Sequence, residues 1–215
     1  MSIMEEGVRI SRSIITECET KLETEIVRAS LSEGSVIIIP GAEGLRDGER
    51  KTDKRYERTA EYLADLGVNS LRTSNPLNGG YFDEEANFKA IIGYAQEMSI
   101  PREVSILGFS AGARMAAERA ANYGDYITNL VLINPHPGVT PTETIEGISR
   151  YEGKLTIVRS AKDDNGIFAD QLLAESASIK RTSRMIPNEH HLMNGLTDRE
   201  FAEFAKYAKP LPFAK

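Results

Sequence analysis

The chain has 215 residues, a formal net charge of -6, 40% hydrophobic residues and a single cysteine. That length suits one domain, 1-215, with a sizeable core, and the composition is that of a globular chain, neither disordered nor fibrous. Lys and Arg interleaved with Asp and Glu exclude the basic face that nucleic acid requires, and one cysteine excludes an internal disulfide and suits a reducing cytoplasm.

At the start, Met1 to Glu6 lacks a basic stretch followed by an apolar run. No segment reaches the roughly 20 apolar residues that span a bilayer, so neither a signal peptide nor a membrane span is predicted. Alternating stretches from Val8 to Ile15 and from Thr24 to Ala29 predict an antiparallel hairpin. Cys18 stands between them among carboxylates that raise a thiol's pKa, and it reads as a surface or hairpin-end residue.

From Ser35 onward the pattern changes to short apolar runs alternating with amphipathic segments, which predicts a mostly parallel sheet with helices on both faces, an α/β fold. The predicted strands are Val36 to Ile39, Val68 to Arg72, Val104 to Phe109, Leu130 to Asn134, Leu155 to Arg159 and Arg184 to Ile186. Helices are predicted over Asp53 to Leu66, over Glu84 to Met98, and from a Thr197-Asp198 cap through Tyr207. Pro135 to Tyr151 is rich in Pro, Thr and Gly with weak helical periodicity, and reads equally as a small cap or an ordinary excursion. The charged loop Glu43 to Lys54 raises the same alternative.

The strongest local signal is Gly108-Phe109-Ser110-Ala111-Gly112, between the apolar strand Val104-Ser105-Ile106-Leu107 and the alanine-rich run Ala113-Arg114-Met115-Ala116-Ala117. A serine on a tight strand-to-helix turn needs small neighbours because the backbone is strained and the flanking chain packs closely. Its hydroxyl then projects over a helix N-terminus that favours developing negative charge. The competing reading is a serine that merely caps the helix.

This context resembles the α/β-hydrolase family, and the resemblance extends from the N-terminal hairpin to the C-terminal helix. It implies a nucleophile at Ser110. It places an acid in the loop after Leu155-Thr156-Ile157-Val158-Arg159, at Asp163, with Asp164 one residue out of register. It places a base in Met185-Ile186-Pro187-Asn188-Glu189-His190-His191, at His191, with His190 as its neighbour. The order serine, acid, histidine is the one this family uses.

The resemblance also implies an oxyanion hole from the backbone amides of Ala111 and of Ala42, the latter after Val36-Ile37-Ile38-Ile39-Pro40-Gly41, where Pro40 departs from the family's histidine-glycine pattern. Asn69 to Gly80 resembles the family's strand and glycine-rich loop ahead of Asp83, Glu84 and Glu85, and supports the fold only. The expected activity is hydrolysis of a small-molecule carboxylic ester or thioester through an acyl-enzyme, with no cofactor or metal. An acyltransferase using the same intermediate and a non-catalytic binding scaffold are the alternatives. Nothing in the sequence sets the oligomeric state.

Overall fold

In the computed structural model, residues 9–29, 32, 34–42, 51–75, 83–98, 100 and 103–209 are described. The eight strands are β1 (Arg9–Ile15), β2 (Lys21–Val27), β3 (Ser35–Ile39), β4 (Asn69–Thr73), β5 (Val104–Phe109), β6 (Ile127–Ile133), β7 (Lys154–Ser160) and β8 (Arg181–Ile186). They form one sheet in the order β1-β2-β4-β3-β5-β6-β7-β8. β1, β2 and β4 pair antiparallel, and every pair from β4-β3 to β7-β8 is parallel.

The alternation in β3 decides the layering. Ile37 and Ile39 enter one core, with Ile106 of β5 and Leu132 of β6, while Val36 and Ile38 enter the other, with Leu107 and Val131. On the first face pack α2 (Glu84–Glu97) through Phe88, Ile91 and Ile92, α3 (Ala111–Arg119) through Ala113 and Ala116, α4 (Pro141–Ser149) through Ile148 and α5 (Gly166–Glu175) through Phe168 and Leu172. On the second pack α1 (Lys51–Asp65) through Tyr56, Ala60 and Leu63, and α6 (Asp198–Ala202) through Phe201. Strands covered on both sides need continuous apolar runs, and all residues of β3 and β5 are buried.

Several boundaries differ from the sequence expectation. β2 starts at Lys21 and ends at Val27, because the turn closes between Thr16 and Thr20, whose backbones bond at 2.9 Å, and Leu22, Thr24 and Ile26 all face inward. β6 begins at Ile127, three residues before the expected Leu130, where Ile127 pairs with Val104. β8 begins at Arg181, opposite Leu155, so the exposed edge strand carries polar residues that hid its start.

The C-terminal helix opens on the expected cap, with Thr197 and Glu200 forming a capping box, but tightens into a 3-10 turn over Glu203–Tyr207. The stretch 135–151 contains α4, begun by Pro141 at its first turn and packed on α3 through Thr144, Gly147 and Ile148. Cys18 is exposed in the hairpin turn. Val8, residues 43–50 of the charged loop and residues 76–80 of the glycine-rich stretch lie outside the described residues.

The topology fixes where a ligand crevice opens. From β3 the chain proceeds to β4 on one side, and from β5 onward it proceeds to the other, so β3 and β5 flank the switch point. In open α/β sheets the carboxyl ends at such a point form a natural crevice. Ala42 follows β3 and Ser110 follows β5. Among the described residues no helix is long and apolar enough to cross a membrane.

Candidate active site

Ser110 sits between β5 and α3 with φ 53 and ψ -114, a conformation that L residues rarely adopt. The turn is tight enough to dictate its neighbours. A Cβ on Gly108 would come within 2.7 Å of the Ala113 Cα, and one on Gly112 within 2.4 Å of the carbonyl oxygens of both Ile39 and Pro40. The first glycine lets α3 fold back on its strand, and the second lets α3 press against the end of β3. A Cβ on Gly41 would stand 3.4 Å from the Ser110 Cβ, so the turn after β3 passes beside the serine. The Ser110 side chain caps no helix amide.

His191 reaches Ser110 from the loop after β8. Its Nε2 lies 2.8 Å from Ser110 Oγ, and its Nδ1 lies 2.9 Å from Asp163 Oδ2. An ionised carboxylate only accepts, so Nδ1 carries the proton and Nε2 is left to accept from the serine hydroxyl. The Asp163 side chain is 3% exposed. Its other oxygen, Oδ1, accepts from the backbone and side-chain nitrogens of Asn165 at 3.0 and 3.1 Å, which completes the carboxylate's hydrogen bonding. Asp164 and His190 are exposed and take no part in this row. Neither aspartate serves as the cap of α5, a position held by Asn165.

Asn134, the first residue after β6, was not singled out from the sequence. It is 1% exposed, with φ 43. Its Nδ2 donates to Ser160 Oγ at 2.8 Å and to the His191 carbonyl at 2.6 Å, and its Oδ1 accepts from the Ser160 amide at 2.7 Å. Ser160 ends β7 and accepts from the Asp163 amide at 3.3 Å. One buried amide thus ties the loop carrying Asp163 to the loop carrying His191. The unusual φ is the only local signal, and it is not written in the residue type beyond Asn tolerating it.

A cavity of about 710 Å³ opens beside Ser110, with Ala42, Ala111, His136, Gly138, Val139 and Thr140 in its wall. In the wall of the same cavity stands a second charged cluster. Arg114 Nη2 donates to Glu84, Arg114 Nη1 lies 3.8 Å from Glu118 Oε1, and that oxygen accepts from Thr144 Oγ1 at 2.7 Å. The Glu84 and Glu118 side chains are 8% and 3% exposed. Burial pushes the Glu84 carboxyl up to about 8, and the charge and hydrogen bond of Glu118 push the same way against the pull of Arg114. The proton is therefore favoured on Glu84, beside the Arg114–Glu118 contact.

Among the described residues no group of three or more His, Cys, Asp or Glu is placed to hold a metal ion.

No family model matches this chain, and no curated protein matches it. Solved structures do. A dienelactone hydrolase from Anabaena variabilis is 17% identical with a TM-score of 0.74, over 95% of this chain and 100% of that one. A cold-adapted esterase from an Arctic intertidal metagenomic library is 13% identical at 0.74, over 95% of each. An esterase domain of a Rhodothermus marinus protein is 11% identical at 0.72, over 92% of this chain and 94% of that one. With the parallel sheet, the N-terminal hairpin and the flanking helices, these likenesses establish that the chain has the α/β-hydrolase fold.

Proposed function

We propose that this chain is a serine hydrolase that cleaves small carboxylic esters or thioesters through an acyl-enzyme on Ser110. The observation that carries the reading is the continuous row from Ser110 Oγ through both nitrogens of His191 to Asp163, at 2.8 and 2.9 Å. A serine hydroxyl is almost never ionised at neutral pH, so an imidazole must take its proton as it attacks the carbonyl carbon. His191 Nε2 takes it, and Asp163 holds the tautomer and stabilises the imidazolium.

The tetrahedral intermediate carries its charge toward the amides of Ala111, at the N-terminus of α3, and of Ala42. Both residues line the cavity with Ser110. Collapse returns the proton from His191 to the departing alcohol or thiol. A water then enters and gives a proton to His191 as its oxygen attacks the acyl carbon; collapse breaks the bond from that carbon to Ser110 Oγ, releases the acid and returns the proton from His191 to Oγ. The solved structures of esterases with this fold support the reaction class, and the exposed thiol of Cys18 suits a reducing compartment such as the cytoplasm.

A panel of short-chain aryl esters and thioesters tests the reading. Turnover is expected in the native chain, with Ser110→Ala lowering it by at least about a thousand-fold while the variant stays folded. Turnover that survives in Ser110→Ala would overturn the assignment.

A further inference from the structure

His136 stands beside the row just described without belonging to it. It follows β6 by three residues, and its backbone amide donates to the Ser110 carbonyl at 3.4 Å, so its place is set relative to the serine. Its ring meets that of His191 edge-on at 6.1 Å, and it lines the same cavity as Ser110. A ring so placed lies within reach of whatever is joined to an ester held at Ser110.

Its chemistry is restricted. The Gly138 amide donates to His136 Nδ1 at 2.9 Å, across a turn in which Gly138 has φ +66. Nδ1 is therefore unprotonated, and in the neutral ring the proton is on Nε2. Among the described residues no protein acceptor takes that Nε2–H. The Arg114 guanidinium packs against this turn, where a Cβ on Gly138 would lie 2.3 Å from Nη1. Partial desolvation, then the charges of His191 and Arg114, hold the His136 pKa below its ordinary value against the pull of Asp163, which disfavours the imidazolium.

We propose that His136 is a specificity-determining residue whose Nε2–H donates to an oxygen of the substrate. The favoured substrates are then esters that carry a hydroxyl, ether or carbonyl oxygen within two or three bonds of the ester group, ahead of all-hydrocarbon esters of the same size. This inference rests on the reading of Ser110 as the nucleophile. The ring offers one donor and no acceptor; His136 is exposed, so water pairs that donor in the free chain, and a substrate oxygen replaces the water whereas a methylene set against the ring displaces it and leaves the donor unpaired.

The test compares matched esters that differ by an oxygen for a methylene: aryl methoxyacetate against aryl butyrate, and 2-methoxyethyl acetate against butyl acetate. The readout is the kcat/KM ratio within each pair, for the native chain, His136→Phe and His136→Gln, so that intrinsic reactivity cancels between proteins. His136→Phe is expected to reduce the preference for the oxygen-bearing member of at least one pair by about five- to ten-fold. His136→Gln, whose amide can donate from a similar place, is expected to keep it within about two-fold. Ratios unchanged in His136→Phe for both pairs, with Ser110-dependent turnover intact, would overturn the inference and leave the hydrolase reading standing. Absence of Ser110-dependent turnover of every ester would overturn both.

Discussion

Two charged clusters stand near Ser110, one placing a carboxylate beside an imidazole and the other two carboxylates beside a guanidinium. In one, Asp163 faces His191, and the imidazole has its second nitrogen on Ser110. In the other, Glu84 and Glu118 face Arg114, and a guanidinium stays protonated in proteins. The imidazole has two distinct edges, one on the Ser110 hydroxyl and one held by a carboxylate. The guanidinium can only hold. Similar ingredients give, in the proposed reading, a proton-transfer device in the first cluster, and in the second a cluster that links α2, α3 and α4.

The largest expected effect separates the roles of two adjacent aspartates. Asp163→Asn lets Nδ1 of His191 become the acceptor and leaves the wrong tautomer at Ser110, and kcat is expected to fall by about 10⁴-fold. Asp164→Asn, at an exposed position, should leave kcat within about two-fold. Equal losses from the two would break the assignment of the acid.

A smaller effect is expected at the amide behind the row. Asn134→Ala removes the bonds to Ser160 and to the His191 carbonyl, and kcat should fall by roughly ten- to a hundred-fold, the usual scale for residues that orient a functional group. KM should move little. Because a merely destabilised chain would lose active fraction without changing its titration, the acid limb of the pH–kcat/KM profile is the discriminating readout. A shift of that limb supports positioning of His191, and an unchanged limb with reduced amplitude contradicts it.

A further effect belongs to the second cluster and concerns stability rather than turnover. The Glu84 carboxyl has an ordinary value of 4.5 and is pushed up to about 8 in the folded chain. Between those values the folded chain binds the proton and the unfolded chain has lost it. The contribution is thus fully present below about pH 4.5 and is lost as pH rises through about 8. Urea unfolding should show stability falling across that window, with a slope of at most about 1.4 kcal/mol per pH unit from this group. Glu84→Gln should flatten the fall. A slope unaffected by Glu84→Gln would contradict the raised Glu84 carboxyl.

Much of this arrangement was legible in the chain. The glycines flanking Ser110 report a backbone constraint, and a Cβ at either would collide with main-chain atoms, so the local pattern and the three-dimensional demand coincide. The central strands were legible because burial on both faces leaves unbroken apolar runs. That Asp163 and His191, rather than Asp164 and His190, stand in one hydrogen-bonded row with Ser110 was expected from the order and spacing of the α/β-hydrolase resemblance, since nothing else local distinguishes them.

Asn134 was not legible, because its partners stand 26 and 57 residues away and its role depends on a buried amide that no periodicity marks. The Glu84–Arg114–Glu118 cluster joins α2 to α3 across 30 residues, and the sequence showed Glu84 only as one of three acids opening a helix. In α4 the Pro, Thr and Gly content concealed a helix whose Thr144, Gly147 and Ile148 are buried.

Reaction of the native chain with a fluorophosphonate, read by intact mass and peptide mapping, tests most directly whether Ser110 is an activated nucleophile. A single adduct on Ser110 is expected, with the labelling rate in His191→Ala reduced by at least about a hundred-fold. An unlabelled folded chain, an adduct on another residue, or labelling of Ser110 at the native rate without His191 would contradict it.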